Sequence, residues 1–404
     1  MKKILILGAG TYQVPLIKTA KRMGIYTVVS SIRGNYPGFR FADKVYYEDT
    51  TDYKRILEIA KKEKVDGIVT AGTDVAVITI GKVCDELGLR GLSFRAAEIA
   101  TDKLLMKEAY EKNGVRSARF RKIPFAEENY AKTISELQMP VMFKSVDSSG
   151  SRGIVKVDSA EQFDEARKTV FENTRSDYFI VEEYIEGEEF GAQAFVQDGK
   201  LEFILPHGDY VFKGDTGVPI GHFAPYDLSP ETAADARDQL SRAAKAMKLD
   251  NCAINADFIL SNGMTYVLEL GGRSGATCLA ELVSIYYDFD YYEAIIRVAI
   301  GEKYDFEKVI ADAEKNGFIP NASMLLMSDK DGNIASQQNN NQPDPHICDI
   351  QFDFEPGRHV RKFRVGPNRI GHVIAKGETL DEAVEYLHRA LENIHIEVEP
   401  DPVI

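Results

Sequence analysis

Short apolar runs alternate with amphipathic stretches through the N-terminal part of the chain. The run Ile4–Leu7 is continuously apolar and stops at Gly8-Ala9-Gly10, and a stretch with helical spacing leads on to a second run, Tyr26–Ser30. Continuous runs of this length are typical of strands buried on both faces, and a helix between them predicts a parallel sheet. The alternation continues in helical patterns at 53–62 and 75–87 and an apolar run at 67–70. Residues 1–100 are therefore predicted to form a doubly wound α/β domain.

Two apolar runs later in the chain are separated by a turn sequence. Ala256–Leu260 and Met264–Leu270 flank Ser261-Asn262-Gly263, and a connection of this length that contains glycine predicts a β-hairpin. Asp257 and Glu269 then lie on neighbouring antiparallel strands, where carboxylates on one face can reach a common ion. Their oxygen atoms suit Mg²⁺ held together with substrate phosphates. The simpler alternative is that both are exposed residues paired with lysines.

A loop of small residues follows another apolar run. Lys144 ends the run Pro140–Lys144, and Ile154–Val157 comes after the loop. Small side chains let backbone N–H groups close over phosphate oxygens, and a neighbouring lysine adds positive charge. The loop lacks the Gly-Lys-Ser/Thr of a Walker motif, and a plain connection between strands is the alternative. Its small residues are Ser148, Ser149, Gly150, Ser151 and Gly153.

An acidic cluster connects two further strand-like runs. Tyr178–Val181 leads into the acidic stretch Glu182–Glu189, which is predicted as a turn, and Gly191–Val196 follows. Such clusters are usually solvated, but a carboxylate at a strand end can also accept hydrogen bonds from ribose hydroxyls.

The segment Pro206–Asp227 is rich in glycine, proline, aspartate and histidine. It is too long for a simple connector, so we predict a functional loop. His207, Lys213 and His222 are its candidate substrate contacts. Histidines that are hydrogen-bonded for structural reasons are the alternative.

Capping residues mark the starts of several helices. Thr101 is predicted as the N-cap of a helix that runs to about Asn113, and Ser229 before Pro230 starts another. The C-terminal part mixes strand and helix signals and is predicted to be a small α+β portion. Its predicted elements are strands at 321–327, 370–375 and 394–398 (an edge strand), a polar loop at 337–342, and a helix at 379–391 that starts with a capping box.

Composition restricts the partners and the compartment. The 404 residues include 63 acidic and 49 basic side chains, a formal charge of −14, which argues against nucleic-acid and anionic-membrane binding. The four cysteines are widely spaced, which points to free thiols in a reducing compartment. The N-terminal apolar run is too short for a signal peptide, and no stretch reaches transmembrane length. We expect a cytoplasmic protein.

A nicotinamide dinucleotide site is the first alternative for the N-terminal domain. Gly8 and Gly10 fit the start of the fingerprint, but Gln13 stands in place of its third glycine. The segment Ser30–Arg33 also lacks the acidic residue expected for the ribose. A hydride-transfer enzyme is therefore the weaker interpretation.

The ordered set of motifs resembles the ATP-grasp enzymes along nearly the whole chain. The set consists of Thr101-Asp102-Lys103, Lys144 before the small-residue loop, Glu182–Glu189, and the acidic pair of the hairpin with Arg273 after it. The resemblance implies an N-terminal domain at 1–100, an ATP-grasp domain at 101–300 with a lid at roughly 115–190, and a C-terminal α+β portion at 301–404 that completes the ATP-grasp body.

The same resemblance implies roles for individual residues. Lys103 and Lys144 would contact the α- and β-phosphates of ATP, and the small-residue loop would cover the γ-phosphate. Asp257 and Glu269 would bind Mg²⁺, for which Mn²⁺ is the substitute, and Arg273 would lie near the transferred phosphate and the acyl substrate. The residues expected at the adenine and the ribose are Glu182, the backbone of Tyr184 and Ile185, and Glu189.

One position departs from the family pattern. ATP-grasp enzymes usually have Glu-x-Asn-x-Arg, whereas this chain has Gly271 at the asparagine position. Either a water molecule replaces the amide oxygen, or one metal ion is held more weakly. The implied reaction is activation of a small carboxylate as an acyl phosphate, with release of ADP, and its capture by an amine.

The resemblance is broadest to carboxylate–amine ligases. Phosphoribosylglycinamide synthetase-like and carbamoyl-phosphate synthetase-like ligases are alternatives, as is a regulatory protein that binds ATP without turnover. By analogy of fold, we expect small carboxylate and amine substrates near Gly10, Asp74 and the His207–His222 segment. A homodimer is expected because it is the commonest assembly.

Overall fold

The computed structural model describes residues 1–148, 150, 152–214 and 217–401. The chain divides into two compact units, and each is described by itself. The first unit comprises Met1–Ile204, Leu228–Ser274 and Tyr292–Tyr304, and the second comprises Leu205–Asp227, Gly275–Tyr291 and Asp305–Ile404. Within the described ranges, no helix is both long enough and apolar enough to cross a membrane.

The first unit begins with a parallel sheet whose strands alternate with helices. The sheet has Ile4–Leu7 at its centre, and all four residues are fully buried, as expected for a strand covered on both faces. The elements are β1 (Lys3–Leu7), α1 (Val14–Arg22), β2 (Tyr26–Ser30), β3 (Lys44–Tyr46), α2 (Tyr53–Glu63), β4 (Gly67–Val69), α3 (Val77–Leu87), α4 (Phe94–Thr101) and α5 (Lys103–Lys112). The strand order is β3-β2-β1-β4, and the predicted parallel sheet is confirmed.

The start of α5 differs from the prediction. Thr101 is the last residue of α4, and its hydroxyl donates a hydrogen bond to the Ala97 carbonyl at 2.8 Å. Asp102 is the N-cap of α5 instead, and one of its carboxylate oxygens accepts hydrogen bonds from the backbone N–H groups of Leu104 and Leu105. The prediction of Thr101 as N-cap was therefore wrong, because a charged acceptor one residue later takes the role.

A four-stranded antiparallel sheet follows in the same unit. Its core contains Phe143, Phe179 and Val181, which are fully buried together with residues of α7. The elements are β5 (Phe120–Pro124), α6 (Tyr130–Ile134), β6 (Val141–Lys144), β7 (Ile154–Val157), α7 (Phe163–Phe171) and β8 (Tyr178–Glu183). The strand order is β5-β8-β6-β7.

Long antiparallel strands form the next part of the chain. They are β9 (Glu188–Gln197), β10 (Lys200–Val211) and β11 (Pro219–Ala224), followed by α8 (Pro230–Ala246), β12 (Cys252–Ser261) and β13 (Met264–Gly271). In the first unit, β12 pairs with both β9 and β13. Glu189 belongs to β9, where it pairs with Ile259, so the predicted acidic turn ends earlier than expected.

The prediction of a loop at 206–227 was wrong for most of the segment, which consists mainly of the end of β10 and of β11. In the second unit, the end of β10 pairs with β11 from Gly208 opposite Phe223 to Val211 opposite Pro219. Backbone pairing of β10 with β11, and of β11 with β14, outweighs the glycine and proline content here.

The C-terminal elements belong to the second unit, apart from one helix. They are α9 (Leu279–Tyr287), α10 (Tyr291–Ala299, mostly in the first unit), α11 (Phe306–Asn316), β14 (Asn321–Leu326), β15 (Gly332–Asn339), β16 (Ile347–Phe352), β17 (His359–Val360), β18 (Gly371–Lys376), α12 (Leu380–Glu392) and β19 (Ile394–Pro400). Strands β11, β14, β18 and β16 are consecutive neighbours in one antiparallel sheet, and β17-β15-β19 form another.

The C-terminal predictions have mixed outcomes. Strand β19 lies at an edge, as predicted, and α12 starts with the predicted capping box of Thr379 and Glu382. The predicted polar loop at 337–342 is wrong in its first half, because Gln337–Asn339 belong to β15 and pair with β19. With a parallel sheet followed by antiparallel sheets and helices, the predicted α/β plus α+β class is confirmed.

Candidate active site

The predicted acidic hairpin forms in the first unit, from antiparallel strands β12 and β13. Asp257 on β12 lies directly opposite Glu269 on β13, and a β-bulge follows Asp257. Asn262 and Gly263 form the turn with φ values of 50° and 74°. Both values are in the left-handed region that asparagine and glycine tolerate, so the turn sets the register from Ser261 opposite Met264 to Phe258 opposite Val267. The bulge then shifts the pairing by one residue, and this shift brings together two carboxylates that are twelve residues apart in the sequence.

Lys103 links this hairpin to the small-residue loop. Its Nζ donates a hydrogen bond to the Ser148 carbonyl at 2.7 Å and lies 3.4 Å from Glu269 Oε2. Its backbone N–H donates to the Val146 carbonyl at 3.0 Å, so the first turn of α5 is attached to the chain beside the loop. The lysine side chain is only 9% exposed. Lys103 thus contacts both the small-residue loop and Glu269, one of the two carboxylates predicted to bind Mg²⁺.

The small-residue loop is closed by its own hydrogen bonds. Ser148 Oγ donates to the Arg152 carbonyl at 2.7 Å, and the backbone N–H of Ser145 donates to the Gly153 carbonyl at 2.9 Å. Gly150 and Gly153 have φ values of 69° and 65°, and a Cβ on Gly153 would lie 2.7 Å from Ser145 Oγ. A tight loop with glycine at these positions is consistent with a phosphate cradle. The predicted contacts of Ser149 and Ser151 lie outside the described residues.

A buried group of three charges lies behind the loop. Glu182 Oε2 accepts a hydrogen bond from Lys144 Nζ at 2.8 Å, and Glu182 Oε1 lies 3.4 Å from Lys107 Nζ. The side chains of Glu182 and Lys107 are each 2% exposed. Lys107 Nζ also donates to Ser117 Oγ at 2.6 Å. We refer to Glu182, Lys107 and Lys144 as the buried charge triad.

Burial and charge oppose each other in this triad. Burial lowers the pKa of Lys107 to about 8, although Glu182 opposes that shift. Burial also favours the neutral forms of Lys144 and Glu182, but opposite charges outweigh it: Glu182 raises the pKa of Lys144, and Lys107 and Lys144 lower the pKa of Glu182. The glutamate is therefore ionised at neutral pH, and it stabilises two buried ammonium groups.

The predicted adenine and ribose residues lie around the end of β8 and the start of β9. The backbone N–H of Tyr184 already donates to the Pro140 carbonyl at 3.0 Å, so a backbone contact from Tyr184 to adenine would use its carbonyl. Ile185 is half-buried, and Glu189 is exposed on β9. Glu182 is buried and paired with Lys107 and Lys144, as described above.

Arg273 and Asp74 form a bidentate ion pair in the first unit. Nε and Nη2 of Arg273 each donate to one oxygen of Asp74 at 2.8 Å, and Nη1 donates to the Ser274 carbonyl at 3.1 Å. Burial alone would raise the pKa of Asp74, but Arg273 lowers it below its ordinary value. The structure thus brings together Arg273, which was predicted near the transferred phosphate, and Asp74, which was predicted near the substrate.

Gly10 lies in a turn that Gln13 closes. The Gly10 N–H donates to Gln13 Oε1 at 2.9 Å, and Gln13 Nε2 donates to the Ala71 carbonyl at 2.6 Å. A Cβ on Gly8, whose φ is 98°, would lie 2.9 Å from the Gln13 side chain. The residue that replaces the third glycine of the dinucleotide fingerprint therefore fills the turn with its own amide.

In the second unit, the two predicted histidines lie on one hairpin. His207 on β10 and His222 on β11 are both buried, and Nδ1 of each lies within hydrogen-bonding distance of Asp209 Oδ1, at 3.0 and 2.7 Å. Burial lowers the pKa of His207, and Asp209 opposes that shift. Burial would raise the pKa of Asp209, but the two imidazoles hold it well below its ordinary value. Lys213 lies in the connection between the strands.

Comparisons with known proteins identify the family. Residues 137–281 match the model of an ATP-grasp domain, and residues 324–399 match that of an L-amino acid ligase C-terminal domain 2. The crystal structure of a phosphoribosylglycinamide synthetase from Anaerococcus prevotii is 34% identical and superposes with a TM-score of 0.85, over 98% of this chain and 100% of that one. The chain belongs to the ATP-grasp family.

Two curated ATP-grasp relatives are more distant. A formate-dependent phosphoribosylglycinamide formyltransferase from Synechococcus sp. (strain WH7803) is 26% identical over 98% of both chains. The alanine–anticapsin ligase of Bacillus subtilis (strain 168) is 22% identical over 68% of this chain and 64% of that protein. This ATP-grasp protein is accordingly an enzyme, an ATP-dependent ligase of the carboxylate–amine type.

The departure from the ATP-grasp pattern at Gly271 has a structural correlate. A Cβ on Gly271 would lie 3.3 Å from Asp74 Oδ1, so a larger side chain there would approach the carboxylate that holds Arg273. Glycine at this position leaves that space to the Asp74–Arg273 pair.

Sequence reasoning missed two residues of these sites. Lys107 lies four residues after Lys103 on α5, and helical spacing places both on the same face of the helix. Asp209 lies two residues after His207, and strand alternation places both on one face. In each case the periodicity of the correct element was the available signal.

Proposed function

We propose that this ligase activates the carboxylate of a small substrate, an α-amino acid in the first instance, as an acyl phosphate and joins it to an amine. The observation that carries the proposal is the contact of Lys103 with both the Ser148 carbonyl and Glu269, directly across the hairpin from Asp257. The match to an L-amino acid ligase domain and the similarity to an alanine–anticapsin ligase support an amino acid as substrate.

The residues of the acidic hairpin fit Mg²⁺. Asp257 and Glu269 offer hard oxygen ligands from opposite strands, and both keep exposed surface, 36% of the side chain for Glu269. The ion would supply positive charge at the phosphates, and Mn²⁺, which prefers the same ligands, is the alternative. Lys103 stays beside Glu269 and limits the negative charge of the pair when no ion is bound.

The remaining residues of the first unit would bind and orient ATP. Lys103 and Lys144 would face the α- and β-phosphates, and the loop from Ser148 to Gly153 would cover the γ-phosphate with backbone N–H groups. Transfer of a phosphoryl group depends on positioning and on neutralisation of charge, and it requires no nucleophilic side chain. Glu189 would accept the ribose hydroxyls. The hinge formed by Glu182, Tyr184 and Ile185 would hold the adenine.

Arg273 would stabilise the charge that develops on the acyl phosphate. Asp74 fixes the direction of the guanidinium through two hydrogen bonds of 2.8 Å. Asp74 therefore acts as a positioning residue through Arg273 rather than as a direct substrate ligand. Gly10 remains a proposed substrate position in the first unit, as do His207, Lys213 and His222 in the second. The boundaries at 1–100, 101–300 and 301–404 belong to this proposal.

A second candidate is synthesis of phosphoribosylglycinamide. It is favoured by the 34% identity to a phosphoribosylglycinamide synthetase over 98% of this chain and 100% of that one. The two candidates share the ATP site and differ in the amine that captures the acyl phosphate.

The test is phosphate release from Mg-ATP with a panel of amino acids, small carboxylates and amines, including glycine with phosphoribosylamine. We expect ADP only with one productive pair, and mass spectrometry of the product separates a dipeptide from phosphoribosylglycinamide. Glu269→Gln should lower turnover at least about 100-fold, whereas Glu186→Gln, at an exposed position before β9, should not. Tight ATP binding without ADP from any of these pairs would refute both candidate substrates.

A further inference from the structure

We infer that His207, Asp209 and His222 bind a divalent transition metal ion of the zinc type. The ATP-grasp reaction proposed above does not require this ion, so the inference goes beyond the proposed function, and His207 and His222 would then contact a substrate only through the ion. It rests on three side chains of the second unit that offer metal ligands at one place.

The hairpin of β10 and β11 builds the site from strand geometry alone. His207 and Asp209 are two residues apart on β10 and therefore face the same side of the sheet. His222 on β11 lies directly opposite Asp209, so its side chain joins them on that side. One ligand atom from each residue lies within 4.8 Å of the other two.

The distances suit a shared ion. Nδ1 of His207 and Nδ1 of His222 lie 3.0 and 2.7 Å from the same carboxylate oxygen. Ligand atoms around a tetrahedral zinc ion at its usual bond lengths are about 3.4 Å apart. Each imidazole nitrogen needs to move away from the Asp209 oxygen by only about half an ångström to reach this spacing.

The burial of the two histidines and the negative charge of Asp209 both favour binding of a cation. Each histidine side chain is 4% exposed, whereas the Asp209 side chain is 30% exposed, so the site is enclosed on the histidine side and open on the carboxylate side. Two neutral imidazoles and one carboxylate give a donor set with a single negative charge. Imidazole nitrogen selects zinc and its neighbours in the periodic table rather than magnesium or calcium.

The number of ligands indicates the type of site. Three protein ligands leave one position of a tetrahedral ion for water or for a carboxylate or amine of a bound molecule, as in zinc sites that act on substrates. The backbone N–H of His222 faces Ser323 Oγ at 3.4 Å, and Ser323 is buried opposite His222 on β14. Ser323 therefore contacts the backbone of β11, the strand that carries His222, and is not a ligand of the ion.

The test uses Zn²⁺ alone and the full-length protein after removal of metal with EDTA. Cys348 is exposed, so all proteins carry Cys348→Ser to exclude binding by that thiol. Competition with a chromophoric chelator should give one zinc ion per chain, with affinity at least about tenfold weaker in Asp209→Asn and in His222→Gln. His346→Gln is the matched control, because it removes another histidine whose Nδ1 contacts an aspartate, at 2.8 Å from Asp344.

Two further readouts keep the test independent of how well the variants fold. Zinc should raise the melting temperature of the Cys348→Ser protein but not that of the Asp209→Asn variant, since ligand binding to the native state stabilises it. X-ray absorption of the zinc-loaded protein should show two imidazole nitrogens and one carboxylate oxygen. Lack of zinc binding, equal affinity in Asp209→Asn, or a different set of ligands would overturn the inference and leave a hydrogen-bonded His–Asp–His group.

Discussion

Replacing Glu182 with glutamine should destabilise the protein strongly at neutral pH. The substitution keeps the shape of the side chain but removes the only negative charge of the buried charge triad. Lys144 Nζ lies 2.8 Å from one oxygen of Glu182 and Lys107 Nζ lies 3.4 Å from the other. Removing one partner of a buried ion pair costs about 3–5 kcal/mol because it leaves a buried charge without compensation. Two ammonium groups are affected here, which favours the upper part of that range.

The destabilisation should decrease as the pH rises. The pKa of Lys107 is about 8 in the folded protein, below the ordinary value of 10.5. The unfolded chain therefore binds more protons between these values, and the contribution of Lys107 to stability rises with pH across this window. Once Lys107 is neutral, removal of Glu182 leaves only one ammonium group of the triad, that of Lys144, without its negative partner. The difference between the variant and the unaltered protein should thus be largest below pH 8 and smaller at pH 9.5.

Urea unfolding followed by circular dichroism at pH 7 and pH 9.5 measures this difference. Glu183→Gln is the matched control, because the adjacent Glu183 pairs with an Arg119 side chain that is 61% exposed, and such a pair contributes at most about 1 kcal/mol. The double variant Glu182→Gln/Lys107→Met should recover part of the loss. The reasoning is refuted if Glu182→Gln and Glu183→Gln have equal effects, or if the effect of Glu182→Gln does not change with pH.

Three further predictions concern stability elsewhere. Arg273→Lys keeps the charge but loses the bidentate hydrogen bonds to Asp74, so the free energy of unfolding should fall by about 1–2 kcal/mol. An unchanged urea midpoint would contradict this prediction. Thr379→Ala removes the acceptor of the Glu382 N–H at the start of α12 and should cost about 1 kcal/mol, with Thr379→Ser as a control that keeps the hydroxyl. Gly263→Ala should also cost about 1 kcal/mol, because φ is 74° there, whereas Gly263→Asn should be tolerated better in the same thermal unfolding measurement.

Local patterns determined most of the elements. The run Ile4–Leu7 predicted a buried parallel strand because a strand covered on both faces has no polar side to present. Ser261-Asn262-Gly263 between two apolar runs predicted the hairpin, because a short connection that contains glycine is typical of a turn between antiparallel strands. The strand and the hairpin depend on neighbours in the sequence, so the sequence alone was sufficient for them. The direct opposition of Asp257 and Glu269 was not predicted, because it requires the β-bulge after Asp257.

The errors arose where two local signals competed. Thr101 and Asp102 are adjacent candidates for one N-cap, and Thr101 extends the preceding helix instead. In the segment Pro206–Asp227, glycine and proline suggested a loop, yet pairing with neighbouring strands gives most of it a regular structure. Propensity cannot weigh a strand whose partners are far away in the sequence.

The partners of the charged side chains were decided only by the tertiary structure. Lys107 is one lysine among many in the sequence, and its burial beside Glu182 depends on how α5 packs on β8. Asp74 and Arg273 are 199 residues apart, and nothing near either residue specifies the other. The sequence by itself determined which residue types could bind phosphate and metal, because their chemistry and local spacing are written in it. Which of them meet was decided by folding, because an ion pair forms only where long-range packing brings both charges out of water.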